Sequence, residues 1–387
     1  MNIMTAMYTI RRGGAYDRFI MMVEAFLERN CEMHCLSLTP IPIKHRNFHN
    51  HVIHLPLKVG DGFFAKLAVA FLFPLWSFWT AWQGKIDLII AFGSLYAFLQ
   101  GFSKLILKKP MVTFIRGSSY FGLTTQNSSG YLLYLNRISE YLGLLCSDRI
   151  ITNNVAIRDG ILRNLRGRRS VDVQVIYNNI PPMNIVEPED ISRTRKKYCI
   201  PEDARVLVTA GILNRGKNIE TLIESFLEIS MGNIYLLIVG DGSTEADFRY
   251  KNFLQRLVRR SGIERQIIFT GWLEKEDLWK IYLSCDLFVQ PSLSEGMPNV
   301  LLEALGAGLS CIGSNVPGMK DILQYDEMLF DPMDKEALTH KIQQLFSDLE
   351  YFEKVKSLCQ ERRKVFIFDW GKRVYETIAH PRQSTMP

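Results

Sequence analysis

Cysteine is scarce and irregularly spaced in this chain. Seven cysteines, an odd number, are spread over 387 residues without a regular pairing, which argues against a disulfide framework and indicates reduced thiols. Cys31 and Cys35 stand close together, but no second ligand pair accompanies them, so we interpret them as strand core rather than as a zinc site. The N-terminus lacks the basic flank and the small-residue cleavage site of a signal peptide. We therefore expect a cytoplasmic protein.

Charged residues are neither abundant nor evenly distributed. They make up 22% of the chain against 47% apolar residues, a balance typical of a globular protein that excludes a disordered one. Residues 1–182 carry 20 basic and 10 acidic side chains, a net charge of +10, whereas the remainder carries 26 and 30, a net charge of −4. No nucleic-acid-binding motif accompanies the basic half. The asymmetry therefore favours an anionic membrane surface as a partner.

Apolar strand-like runs alternate with helical patterns in two successive series. The runs of the first series lie at 3–10, 32–38, 51–55, 86–92, 111–115, 149–152 and 173–177, and those of the second at 206–210, 235–239, 266–270, 287–290 and 310–312. Alternation of this kind predicts α/β domains with parallel sheets. A stretch rich in proline and asparagine, 178–192, interrupts every period and marks the boundary between two domains.

Two carboxylates, Glu295 and Glu303, follow the run at 287–290. Pro291 breaks the strand, and Asn299 is a good N-cap for a helix that carries Glu303, so Glu295 is predicted to lie on the intervening loop. Ligands of open α/β sheets bind at such strand ends. From the spacing alone, a solvated turn followed by an amphipathic helix explains the pattern equally well.

A glycine turn, Gly211 to Asn218, follows the first strand of the second series. It fits the phosphate-binding pattern G-x4-G-K-[ST] except at Asn218, which has no hydroxyl to offer magnesium, so a nucleotide hydrolase is disfavoured. Arg215 and Lys217 remain as cations at the N-terminus of a helix. Together with the glycine turn they predict a site for a diphosphate.

The first half offers weaker signals for a site. Gly13 and Gly14 follow the first strand and open a helix, where backbone N–H groups can meet a phosphate, although most such pairs are merely turns. The polar stretch 116–130 is interpreted as a flexible, substrate-facing loop. Five arginines form either a solvated face or a contact for lipid phosphates: Arg158, Arg163, Arg166, Arg168 and Arg169.

The stretch 63–82 is apolar and about as long as a membrane span. Lys66 and Pro74, together with the close return to a strand, argue against crossing. Its tryptophans at 76, 79 and 82 recur at helical spacing and are predicted to share one face. A helix packed on the first sheet and a helix that dips into the membrane interface both remain open, with the second favoured.

In order and spacing, these motifs resemble those of the retaining GT-B glycosyltransferases of glycosyltransferase family 4, or group 1. The resemblance covers nearly the whole chain and is strongest over 206–323, in G-I-L-N-R-G-K-N, L-L-I-V-G-D-G, I-I-F-T-G-W-L, S-E-G-M-P-N-V-L-L-E-A-L-G-A-G and V-P-G-M-K-D-I-L. In that family an E-x7-E pair marks the donor site, and seven residues separate Glu295 from Glu303.

The resemblance implies the GT-B fold, two doubly wound Rossmann-like domains that face each other across a cleft. Residues 1–182 would form the acceptor-side domain and 183–365 the nucleotide-sugar-binding domain. The segment F-D-W-G-K-R-V-Y is similar to the helix that crosses back to the first domain in such enzymes. Residues 366–387 are therefore expected to form that helix and a tail.

The resemblance also implies roles for single residues. Lys217 and Arg215 would neutralise the leaving diphosphate, while Glu295 would hold the sugar in catalysis. Substrate contacts are implied for Gly13, Gly14, Arg116, Gly240, Gly296, Met297, Pro298, Asn299 and Glu303, the last through the ribose hydroxyls. The chain has no D-x-D sequence, which fits transfer without a metal or another cofactor. The implied partners are a nucleotide-diphosphate sugar, a saccharide or lipid-linked saccharide acceptor and an anionic membrane surface at the cytoplasmic face.

Two departures from the family pattern keep other functions open. Ile212 stands where many relatives have arginine, and Arg116 occupies the region where many have a histidine near the sugar. The alternatives are a nucleotide-sugar epimerase or hydrolase of the same architecture, and a non-catalytic relative that binds sugar nucleotides. The sugar, the base and the acceptor are not specified by these motifs.

Overall fold

The computed structural model describes residues 1–7, 14–53, 63–117, 130–165, 170–183, 186–229 and 232–379, with backbone alone for 63–70, 130–133 and 135–136. The chain divides into two compact units, one formed by Met1–Tyr177 with Asp369–Pro387 and the other by Asn178–Phe368. Each unit contains one parallel sheet.

The first unit is built on a seven-stranded sheet with the order β3-β2-β1-β4-β5-β6-β7. Its strands are β1 (Asn2–Met7), β2 (Glu32–Ser37), β3 (Phe48–Val52), β4 (Leu88–Ala91), β5 (Met111–Ile115), β6 (Arg149–Thr152) and β7 (Asp172–Val175). Its helices are α1 (Gly14–Leu27), α2 (Phe63–Gln83), α3 (Ser94–Leu107), α4 (Gly130–Cys146) and α5 (Val155–Leu165), with the C-terminal helix described below.

The second unit is built on a six-stranded sheet with the order β10-β9-β8-β11-β12-β13. Its strands are β8 (Arg205–Ala210), β9 (Ile234–Val239), β10 (Ile267–Gly271), β11 (Leu287–Gln290), β12 (Ser310–Ser314) and β13 (Leu329–Phe330). Its helices are α6 (Pro188–Lys197), α7 (Ile219–Glu228), α8 (Glu245–Ser261), α9 (Lys275–Leu283), α10 (Asn299–Gly306), α11 (Pro317–Leu323), α12 (Lys335–Ser347) and α13 (Leu349–Val365).

Both sheets are doubly wound, as predicted. In each, the strand order reverses beside the first strand, between β1 and β4 and between β8 and β11. Central strands such as β4 and β11 are buried along their whole length. Because helices cover both faces of a parallel sheet, such strands are continuous apolar runs. These runs made the central strands predictable from the sequence.

Edge strands were predicted less well. The strand predicted at 51–55 lies instead at Phe48–Val52, and β13 was missed. The β3 sequence F-H-N-H-V is mostly polar and only half-buried, so it carries little of the apolar signal on which the prediction depended. Cys35 lies in β2 and Cys31 just before it, and both are buried, in agreement with their interpretation as core.

Helices α2, α3 and α4 pack side by side in the first unit. Phe73 of α2 is buried in the core against β1 and β4, and Trp76 packs against the same core. Trp79 and Trp82 are exposed, with ring centroids 5.4 Å apart. The prediction that the three tryptophans share one face was therefore wrong, because Trp76 turns toward the sheet. Over the residues that the structure describes, no helix combines the length and hydropathy needed to cross a membrane.

The C-terminal helix α14 (Trp370–Ala379) belongs to the first unit. Trp370 is buried, and the Arg18 guanidinium lies 5.5 Å from the centre of its ring. Tyr375 meets Phe26 of α1 edge-on at 5.3 Å. The helix is thus fixed against α1 by aromatic packing, which stabilises such contacts beyond the area they bury.

Candidate active site

Two loops leave the second sheet at the point where its strand order reverses. The turn that ends at Asn218 follows β8, and the loop that carries Glu295 follows β11. The N–H of Leu293 donates a hydrogen bond to the carbonyl of Gly216 at 2.9 Å, so the two loops are joined directly. Ligands of open parallel sheets bind at this position.

An ion pair between Lys217 and Glu295 forms the centre of this site. Lys217 Nζ lies 2.5 Å from Glu295 Oε1, with the two side chains only 20% and 13% exposed. The same oxygen accepts hydrogen bonds from Ser292 Oγ at 2.7 Å and Gln290 Nε2 at 3.5 Å. The structure therefore brings together two predicted catalytic residues that are 78 positions apart, each held in a defined place.

Sequence reasoning missed the support that Glu295 receives. Ser292 was not among the predicted site residues, although its hydroxyl is a short-range donor only three residues before Glu295. Gln290, the last residue of β11, also donates to Ser292 Oγ at 2.8 Å. Its position at the end of a buried strand was the available signal, because a polar residue buried there needs a partner.

Glycines allow the backbone of the turn to pass close to the neighbouring strand. Gly211 and Gly240 have φ of +141° and +125°, and a Cβ at Gly240 would lie 1.9 Å from the Gly211 carbonyl oxygen. The N–H of Gly240 donates to the carbonyl of Gly271 at 2.9 Å. The observed roles of Gly240 are thus close packing and this bond. A Cβ at Gly211 would sit 3.5 Å from Lys217 Cε, so the lysine side chain runs over this glycine.

The N-terminus of α7 is closed by a tyrosine from α8. The hydroxyl of Tyr250 accepts hydrogen bonds from the N–H groups of Ile219 and Glu220 at 3.1 and 3.4 Å. The Arg215 guanidinium lies 5.8 Å from the centre of the same ring. Two of the helix-terminal N–H groups that would face a diphosphate are therefore already hydrogen-bonded to Tyr250. What the turn offers to a diphosphate is its pair of cationic side chains, Arg215 and Lys217.

The Gly296–Asn299 loop is held by residues from elsewhere in the unit. Asn178 Nδ2 donates to the Met297 carbonyl at 3.2 Å and to Asn299 Oδ1 at 2.8 Å. Gly318, at the start of α11, lies so close that a Cβ there would be 2.1 Å from the Gly296 carbonyl oxygen. The loop that follows Glu295 is thus fixed before any ligand binds.

The helix that follows begins one residue earlier than predicted. Asn299 is its first residue, Pro298 occupies the N-cap position, and no side chain caps it. The prediction of Asn299 as N-cap was wrong, because its Oδ1 is used by the buried Asn178. Glu303 lies about one turn into α10 and is half-buried. Burial first, and the Glu303 charge second, raise the pKa of the neighbouring Tyr282.

In the first unit, Arg116 and Gly14 are in direct contact. Arg116 Nη1 donates to the Gly14 carbonyl at 3.0 Å, and the guanidinium lies 5.8 Å from the ring centre of Phe92. Burial, followed by the nearby Arg18 charge, lowers the Arg116 pKa to about 9, so the side chain is still mainly cationic at neutral pH. Gly13 and most of the polar loop after Arg116 lie outside the described residues.

A comparison with protein families found a match, which lies in the second unit. Residues 190–364 match the model described as "Glycosyl transferases group 1". The matched region contains both loops of the site and the whole second sheet.

Curated relatives match over part of their length. The serotype-specific mannosyltransferase WbdA of Escherichia coli is 27% identical over 195 residues, which cover 49% of this chain and 23% of that protein. The uncharacterized glycosyltransferase MJ1607 of Methanocaldococcus jannaschii is 26% identical over 247 residues, 62% of this chain and 61% of that protein. The chain therefore spans less than two thirds of these relatives.

Solved structures match the fold over nearly the whole chain. Alr3699/HepE of Anabaena, solved in complex with UDP-glucose, superimposes with a TM-score of 0.79 at 18% identity, covering 98% of this chain and 99% of that one. The superposition confirms the predicted fold, and at 18% identity it shows the fold alone.

Proposed function

Residues 190–364 belong to the group 1 glycosyl transferases, and from this premise we propose that the chain is a retaining glycosyltransferase. It moves a sugar from a nucleotide-diphosphate sugar to a saccharide or lipid-linked saccharide acceptor in polysaccharide, lipopolysaccharide or glycolipid biosynthesis. The observation that carries this proposal is the Lys217–Glu295 pair, which joins two strand-end loops where the second sheet reverses its order.

The donor site follows from the chemistry of these side chains. Lys217 and Arg215 bind the diphosphate, and Glu295 accepts hydrogen bonds from sugar hydroxyls. Glu303 offers two acceptor oxygens to the ribose. Before the donor arrives, the contact between Lys217 Nζ and Glu295 Oε1 fixes the positions of both side chains. Pre-organised groups of this kind need little rearrangement when charge develops in the reaction.

The reaction breaks the bond between the anomeric carbon and the diphosphate oxygen. Negative charge grows on the diphosphate, and Lys217 with Arg215 stabilises it. The acceptor hydroxyl attacks the same face of the sugar, forms the new C–O bond and passes its proton to the leaving phosphate. No side-chain nucleophile takes part in this scheme. We propose that the fixed cations do the work that a metal ion would otherwise perform, and that the first unit recognises the acceptor.

A screen of nucleotide sugars tests this function. UDP-, GDP-, ADP- and dTDP-sugars are mixed with the full chain, and the donor is expected to raise the apparent melting temperature because it binds only the folded state. Nucleotide release is expected only when an acceptor is added. Release without acceptor supports a hydrolase, loss of donor stereochemistry supports an epimerase, and binding without turnover over an acceptor panel supports a non-catalytic relative. Any of these outcomes contradicts the proposed transfer.

We also propose that the enzyme works at the cytoplasmic face of an anionic membrane, through the surface of α2, α3 and α4. This surface carries large exposed apolar side chains: Phe71, Leu72, Leu75, Trp79, Trp82, Leu95, Phe98, Phe102, Leu105, Ile106, Tyr134, Ile138 and Leu142. Phe71 is 70% exposed and Leu105 67%. Concentrations of exposed apolar residues on a water-soluble surface mark interaction sites.

Cations border the apolar surface. A groove of about 480 Å³ between the ends of α2 and α3 is lined by Ala81, Trp82, Gln83, Lys85, Ile86, Leu107 and Lys109. Tryptophan beside lysine suits the level of lipid headgroups, where the ring meets acyl chains and the ammonium meets phosphate. This complementarity supports an anionic bilayer as the occupant. Arg166, Arg168 and Arg169, considered for the same role, lie outside the described residues.

Changing both Trp79 and Trp82 to serine is expected to weaken binding to vesicles of anionic lipid by about tenfold per ring, because each ring loses apolar burial. Flotation of the protein with such vesicles at low salt measures the effect. Trp272, which is 42% exposed in the second unit, provides the matched control, and Trp272→Ser should float like the unchanged protein. Unaltered flotation of the double variant, or no flotation of the unchanged protein at low salt, contradicts the membrane surface.

A further inference from the structure

Three histidines and a glutamate share one face of the outermost two strands of the first sheet. Glu32 and His34 stand two residues apart on β2, and His49 and His51 stand two apart on β3. The strands pair in parallel with His34 opposite His49 and Leu36 opposite His51. Because side chains alternate along a strand, the four functional groups project to the same side. None of the four belongs to the candidate donor site.

The side chains converge closely. His49 Nε2 lies 2.6 Å from Glu32 Oε2, and His34 Nδ1 lies 3.0 Å from His51 Nε2. One ligand atom from each of Glu32, His34 and His49 can be chosen so that all lie within 4.8 Å of one another. Metal–ligand bonds of about 2.0–2.2 Å place two ligands on the same ion at most about 4.4 Å apart. The three groups therefore need only small movements to meet at one ion.

The surroundings hold this cluster in place. Gly84, just after α2, packs so closely on His34 that a Cβ there would be 3.0 Å from His34 Cε1. The His34 ring stacks on His51 with centroids 5.3 Å apart and lies 4.7 Å from the His49 ring. The His34 ring is therefore held from two sides, by the backbone after α2 and by the neighbouring imidazoles.

We propose that Glu32, His34 and His49 form a binding site for a divalent transition metal ion, zinc being the best match, and that His51 orients His34 by their hydrogen bond. Two imidazoles and one carboxylate suit zinc or its neighbours, whereas magnesium and calcium prefer oxygen ligands alone. A hydrogen-bonding partner behind a ligating histidine is the usual arrangement around such ions.

The role of this ion is to fasten the edge strand β3 to β2. Its ligands come from both strands, so the ion cross-links them at the edge of the sheet, where β3 has a single neighbouring strand. Glu32 is the first residue of β2, at the amino end of the strand, whereas Arg116 follows the carboxyl end of β5. In a parallel sheet these ends lie at opposite edges, so the metal site lies away from the predicted substrate residue Arg116. We therefore assign the ion a structural role that is independent of the proposed sugar transfer.

Metal binding by the full chain, purified without a histidine tag and treated with a chelator, tests the inference. Zinc is added in equilibrium dialysis, and cobalt is added to follow the absorption spectrum of its coordination sphere. We expect one zinc ion per chain and a rise in the melting temperature of the first unit. His49→Ala and Glu32→Ala should each weaken binding at least about tenfold. His51→Ala should weaken it less and keep one ion per chain.

Matched controls separate a built site from surface binding. His340, exposed on α12 in the second unit, is changed to alanine and should bind zinc like the unchanged chain. His49 and Glu32 have side chains 41% and 43% exposed, so their variants should fold, and circular dichroism of the metal-free proteins checks this. Absence of stoichiometric zinc binding overturns the inference, as does binding that His49→Ala and Glu32→Ala leave unchanged.

Discussion

Replacing Lys217 with alanine is expected to lower kcat for sugar transfer by about 10²–10³-fold, the usual effect of removing one charge-stabilising group from an active site. The lysine meets the diphosphate while negative charge is growing there, so its contribution is larger in the transition state than in the bound ground state. The variant should also lose most of the thermal stabilisation by free nucleoside diphosphate. Steady-state kinetics and melting curves measure the two effects.

The same substitution tests whether Lys217 acts in the transfer reaction or only stabilises the fold. Glu295 loses its ion-pair partner but keeps Ser292 and Gln290 as donors, so we expect a loss of only about 1–3 kcal/mol in the free energy of unfolding. A second ion pair in the same unit provides the control: Lys335 Nζ lies 2.6 Å from Glu228 Oε1. Lys335→Ala should transfer sugar normally. Near-normal turnover by Lys217→Ala would contradict the assignment of this site as the donor site.

Glu295→Gln is expected to lower transfer by about 100-fold or more, with Glu295→Ala at least as low. Glutamine keeps the size of the side chain and an oxygen that can accept from Ser292, but it removes the charge that pairs with Lys217. Since Glu295 is proposed to hold the sugar, the variant should bind free nucleoside diphosphate almost as well as the unchanged chain. Its extra stabilisation by the complete nucleotide sugar should disappear.

This difference separates the roles of the two residues. The Lys217 variant should lose affinity for the diphosphate itself, whereas the Glu295 variant should lose only the part of the affinity that the sugar contributes. Glu228→Gln, the matched change in the control pair, should alter neither. If both site variants lose nucleotide and nucleotide-sugar binding equally, Glu295 acts by positioning Lys217 and does not contact the sugar.

The outcome of the sequence-based predictions depended on how local their signals were. Buried central strands such as β8 and β9 were found because each is a short apolar run bounded by polar or glycine residues. The edge strand β3 was misplaced because its histidines and asparagine resemble a loop. The N-cap at Asn299 was wrong because a distant residue, Asn178, uses its side chain. Errors arose where a remote partner outweighed a local preference.

The sequence by itself determined the two α/β units, their parallel sheets and the residue types of the site. These properties follow from patterns repeated within a few residues, namely strand runs, helix periods and glycine turns. Only the tertiary structure decided that Lys217 meets Glu295, that Tyr250 closes the N-terminus of α7 behind them, and that Trp76 packs against the core while Trp79 and Trp82 are exposed. Such contacts join residues far apart in the chain, and they depend on strand order and helix orientation, which no local pattern specifies.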